Sequence, residues 1–222
     1  MMSRHGARLA ALLAPVVLLL LPTAAHAEQV TIDDAVGDAK ALNFGSELAG
    51  FLFGTESEGQ PLFLDAPAEA ATDITRTTIK HGKRVTVTTH FRDLVDTAEH
   101  SVEMRVIVPR GRFDLSVARS ADGSGYAQLA PRMVFTEDGD VRPRPCRSVR
   151  GRYDVVAETV TVSFPAVCID KPRWIQVTSV ASRIQVTPVG DGSVNLAGWA
   201  DDAFRSRLSE NSMGRSPRVR RG

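Results

Sequence analysis

From Arg84 to Phe91 the chain reads Arg-Val-Thr-Val-Thr-Thr-His-Phe, alternating in polarity and rich in β-branched side chains. A period of two fits a strand with one buried face; wound into a helix, the same residues would scatter their apolar groups around the axis. Val85, Val87 and Phe91 are therefore expected on a core face, with His90 on the other. Ile74 to Lys80 has the same character and is expected to pair with this strand. The turn is expected at His81-Gly82, with glycine taking a positive φ and His81 solvated at the tip.

The period of two recurs along the chain. Val102 to Val108 alternates up to Pro109, and Phe113 to Ala118 follows after a turn around Gly111. Asp122-Gly123-Ser124-Gly125 has turn composition and leads into Tyr126 to Leu129. Met133 to Phe135, Arg152 to Val156, Thr159 to Phe164 and Arg173 to Ile184 complete the expected strands. One helical turn is expected at Pro165 to Asp170 and a short helix at Ala200 to Leu208. Short strands separated by turn signals imply an all-β fold: a single antiparallel β-sandwich, jelly-roll or immunoglobulin-like in outline.

The ends of the chain bear on compartment. Arg4 and Arg8 precede an uncharged apolar stretch, Leu9 to Leu21, and Ala25-His26-Ala27 follows Pro22. These are the parts of a secretory signal, with cleavage expected after Ala27. The apolar core is too short for a membrane-spanning helix, which needs about 20 residues. The expected organisation is a signal peptide over 1–27 and a sandwich over 28–204, with an insertion around 42–71. A basic, disordered tail is expected over 205–222. Outside the signal, 25 basic residues face 26 acidic ones. Six of those arginines lie from Arg205 onward against one acid, so the body is mildly acidic, a poor holder of polyanions by net charge. The tail also lacks aromatics, so no nucleic acid is expected as partner.

Cys146 and Cys168 are the two cysteines. In an exported chain they are expected to pair, closing a loop of about 23 residues worth roughly 3 kcal/mol.

Several short motifs occur in a fixed order: Asp34-Ala35-Val36-Gly37-Asp38, Asp73-Ile74-Thr75, the cysteine pair around Val160 to Pro165, Pro172-Arg173-Trp174, and Asp201-Asp202-Ala203. In this order the chain resembles a group of secreted actinobacterial β-sandwich proteins. In outline it is similar to the DOMON and family-9 carbohydrate-binding domains. That resemblance implies a binding fold for sugar, haem or calcium.

The residues themselves offer few chemistries. Asp33, Asp34 and Asp38 surround Gly37, and Asp73, Asp201 and Asp202 join them if one end of the sandwich gathers these segments. Clustered aspartates supply the oxygens calcium prefers, and equally cap a turn. The spacing is not that of an EF-hand. His81, His90 and His100 carry no zinc motif. No G-x-S-x-G elbow, Walker loop or dinucleotide fingerprint occurs. Trp174 is expected to pack under the disulfide, and Trp199 is the candidate exposed platform for sugar. No cofactor is required by the sequence, with calcium the candidate. The expected partner is a glycan or cell-wall polymer, and the protein is not expected to span a membrane after cleavage. A secreted, non-enzymatic binding or surface module follows. An extracellular hydrolase with a non-contiguous site, or a purely structural surface protein, are the alternatives.

Overall fold

In a computed structural model, residues 28–44, 61–95, 99–120, 122–130, 132–135, 141–190, 192–209 and 212–222 are described. The expected signal segment, 1–27, and the middle of the expected insertion lie outside them. The strands are β1 (Glu28–Asp33), β2 (Lys40–Leu42), β3 (Phe63–Asp65), β4 (Ile74–His81), β5 (Arg84–Phe91), β6 (His100–Val108), β7 (Gly111–Arg119) and β8 (Gly125–Leu129). There follow β9 (Arg132–Phe135), β10 (Val141–Arg144), β11 (Arg150–Asp154), β12 (Thr159–Pro165), β13 (Trp174–Pro188), β14 (Val194–Asp202) and β15 (Val219–Arg220).

They form two packed antiparallel sheets and a small hairpin. One sheet runs β1-β4-β5-β12-β11 and the other β3-β2-β14-β13-β6-β7-β8, with β15 joining β13 and the β9–β10 pair apart. The alternation read in the sequence is the burial pattern. Val85, Val87 and Phe91 face inward, opposite Val102, Met104 and Val106 of the other sheet, and Val160, Val162 and Phe164 complete the layer. The outward row Thr31, Thr78, Thr88 and Thr161 lies in register across four strands.

A 3₁₀ turn, Ala166–Ile169, falls where one helical turn was expected. Cys146 and Cys168 are bridged. Because β11 pairs with β12, the bridge joins the approach to one strand to the exit of the other and closes the hairpin at its open end. Tyr153 of β11 ties the sheets together by donating its hydroxyl to the carbonyl of His100 on β6 at 2.9 Å.

Four expectations need correction. The hairpin turn follows His81, which belongs to β4 and is fully buried. Ala200 to Leu208 is not helical: β14 continues to Asp202, because Ala200 pairs with Lys40 and Ser182. Trp174 stacks under Arg218, whose guanidinium lies 4.4 Å from the ring centre. The tail packs on the sandwich: Ser216 and Val219 are buried, Ser216 bonds the backbone of Val177, and β15 pairs with Trp174 and Ile175. The tail fills the stretch of β13 that β14 leaves unpaired, so backbone pairing rather than composition decides its order.

Candidate metal centre

The segments that carry the aspartates meet at one pole of the sandwich. Asp34 and Asp38 lie in the β1–β2 loop, Asp73 just before β4, and Asp201 and Asp202 at the end of β14. The loop turns at Gly37, whose φ of 81° is costly for any residue with a Cβ. This turn aims the Gly37 N–H at Asp73 Oδ2, 2.8 Å away. Asp201 links the two sheets: its Oδ2 accepts the backbone N–H of Ile74 at 2.8 Å, and its Oδ1 accepts that of Asp202 at 2.8 Å. Asp202 reaches the tail, accepting the N–H of Gly214 at Oδ2.

Oxygens of Asp38, Asp73 and Asp201 lie within 4.8 Å of one another. Asp34 borders them, close enough to repel Asp38, Asp202 and Asp73. Four carboxylate oxygens here are buried without a hydrogen bond: Asp34 Oδ2, both oxygens of Asp38, and Asp73 Oδ1. The Asp73 side chain is itself fully buried. Among the described residues, the ion pair that enters the cluster is Arg92 Nε to Asp73 Oδ2 at 3.1 Å.

So much buried, unpaired negative charge is unfavourable, and the carboxyls respond by holding protons. Burial pushes Asp201 up to about 8 and Asp34 up to about 7, against the hydrogen bonds that each accepts. Asp38, Asp73 and Asp202 are also raised, burial being the main cause in each. The chemistry is all-oxygen and anionic, without nitrogen or sulfur, and suits a hard divalent cation such as calcium.

Of the aspartates singled out from sequence, Asp34, Asp38, Asp73, Asp201 and Asp202 come together. Asp33 does not: strand alternation turns it outward, where it pairs with Arg76 at 2.6 Å. Trp199 is not an exposed ridge. It is half-buried, and Arg183, held by Glu69 at 2.8 Å, covers its ring at 4.3 Å. Sequence reasoning missed Arg92 and Gly214, which carry no motif and meet the cluster only through tertiary contacts.

No family model matches the chain, and no curated protein matches it.

Proposed function

We propose that the chain is a secreted, non-enzymatic binding module of the cell envelope whose sandwich is closed at one pole by a calcium ion. The observation that carries the metal reading is the set of four buried, unpartnered carboxylate oxygens at the meeting point of three chain segments. Asp38, Asp73 and Asp201, whose oxygens converge, would hold the ion, with Asp34 bordering them. The ion would supply the positive charge that Arg92 alone does not. Calcium here is structural: it would tie the β1–β2 loop to both sheets. Secretion is supported by the signal-like first 27 residues and by the disulfide. Among the described residues no helix is long and apolar enough to cross a membrane.

The hydrolase reading has less support. A raised carboxyl suits a general acid. Yet three of the five aspartates, Asp73, Asp201 and Asp202, are 0%, 2% and 1% exposed, which keeps them from a substrate.

The test is thermal unfolding of the 28–222 chain in calcium and in chelator. A ligand at a hundredfold excess over Kd stabilises by about 2.7 kcal/mol, a midpoint rise of roughly 5–10 °C for a domain this size. Wild type is expected to show this rise and Asp38→Asn to lose it. Equal midpoints in calcium and chelator for the wild type would sink the metal reading.

A further inference from the structure

The pole opposite the aspartates carries a cleft of the other charge. Strand β4 runs from Ile74, held by Asp201, to His81, held by the tail, so the two poles are roughly 24 Å apart. At the far pole a cleft of about 840 Å³ opens between the β6–β7 turn and the connection from the 3₁₀ turn to β13. Its cations are Arg110 and Arg112 from the first segment and Lys171 and Arg173 from the second. All four are exposed. Val108 and Ile169 form its apolar floor. The cleft also contains Asp114, which is engaged by Arg105 at 2.7 Å, and Asp170. A second hollow of about 520 Å³ shares Lys171 and adds Lys83 and Arg221.

The backbone that presents Lys171 is unusual. Asp170 and Lys171 are consecutive non-glycine residues in the left-handed region, at φ of 62° and 47°. Backbone bonds to Val167 and Ala166 hold them there, and Arg221 of the tail donates to the Lys171 carbonyl at 2.9 Å. Such strain persists only where the surroundings impose it, and it concentrates at sites of function.

We propose that this cleft binds a phosphodiester-bearing polymer. The inference rests on the binding-module reading and gives that module its ligand class. It is independent of the calcium site. Net charge made the body a poor holder of polyanions, but the fold gathers acids at one pole and cations at the other. Three of the four cations are arginines, whose forked donors match phosphate oxygens. They come from two segments. A tetrahedral phosphate offers oxygens to both, whereas a planar carboxylate is filled by one fork. Successive phosphates of a chain can run from this cleft past Lys171 to Lys83 and Arg221. The aromatic side chain that lines the cleft, Phe113, is half-buried, so the phosphate contacts and not base stacking carry retention.

The test is calorimetric titration of the calcium-saturated 28–222 chain with a poly(glycerol phosphate) oligomer at low salt. Saturable binding is expected, weakened about tenfold or more in the Arg112→Glu, Arg173→Glu double variant. The salt slope is expected to fall by about one for each phosphate contact removed. Both residues are exposed, and an unchanged thermal midpoint verifies that the variant folds. Arg76→Glu and Arg152→Glu, on the outer face of the β1–β11 sheet, are expected to bind as wild type. Absence of binding would overturn the proposal, as would binding that the double variant leaves intact. Equal binding of a polyuronate of the same charge, which carries carboxylates and no phosphodiester, would also overturn it. Because calcium loading is read separately by thermal unfolding, failure of the metal site and failure of this cleft are distinguishable.

Discussion

Asp73 makes both a hydrogen bond with Gly37 and an ion pair with Arg92, yet keeps one buried oxygen unpartnered. Its position depends on Gly37. Gly37→Ala would find ordinary contacts, the nearest being Arg92 at 3.5 Å, so its cost lies in the left-handed backbone. That cost is about 1–2 kcal/mol, and a fall in the thermal midpoint of roughly 2–8 °C is expected in a melting scan. The raised carboxyls set a pH trend. A carboxyl whose value is raised by folding binds its proton more tightly in the native state. Its stabilisation is therefore full below about pH 4 and is lost as pH rises through the folded values. With Asp34 at about 7 and Asp201 at about 8, metal-free protein is expected to lose stability as pH climbs from mildly acidic through these values. Calcium takes the ionised form, so it is expected to reverse the trend, with a larger midpoint rise at alkaline than at acidic pH. Parallel melting curves across that range would contradict this.

At the scale of elements, the tail is the least expected feature. It runs the length of the sandwich. Gly214 bonds Asp202 at the acidic pole, Val219 is fully buried, and Gly222 N–H meets the His81 carbonyl at the basic pole. His81 Nδ1 lies 3.1 Å from the Val219 carbonyl, and burial lowers its affinity for a proton. A Cβ on Gly214 would lie 2.6 Å from Asp202 Oδ1 and 2.8 Å from Phe204 Cβ. Gly214→Ala is therefore expected to release the first part of the tail and speed amide exchange at Val177, whose N–H bonds Ser216 Oγ. Val219→Ala removes buried methyl groups and is expected to cost about 2 kcal/mol in denaturant unfolding. If both variants exchange and unfold as wild type, the tail contributes nothing to the sandwich.

At the scale of the whole molecule, the disulfide and the tail close two different openings: one joins β11 to the end of β12, the other covers the free stretch of β13. Reduction of Cys146–Cys168 is expected to cost about 3 kcal/mol, read as an earlier unfolding midpoint with the same native spectrum. An unchanged midpoint would mean the bridge does not constrain the unfolded chain. Strands β4 to β8 and β11 to β13, their inward faces and the cysteine pair were legible in the sequence because period-two patterning and local pairing are properties of short segments; β1 and β14 were not, and the end of β14 read as a helix. Val85, Val87 and Phe91 are buried for the reason their spacing states. The acidic loop was legible as a group of residues but not as a set. Asp33 and Asp34 are neighbours, yet one pairs with Arg76 outside and the other turns into the cluster, and only the end of β1 separates them. Trp199 looked available from its Gly-Trp-Ala-Asp-Asp context, but Arg183, sixteen residues earlier, lies over its ring. The tail read as polar and unstructured because composition carries no record of an unpaired strand edge waiting elsewhere. The sequence by itself thus determined that the strongly alternating segments, β4 to β8 and β11 to β13, are strands and which faces they bury, since those depend on neighbours one to four residues away. Which aspartates share a site, which arginines share a cleft and where the tail lies were decided by the tertiary structure, because each depends on contacts between residues far apart in the chain.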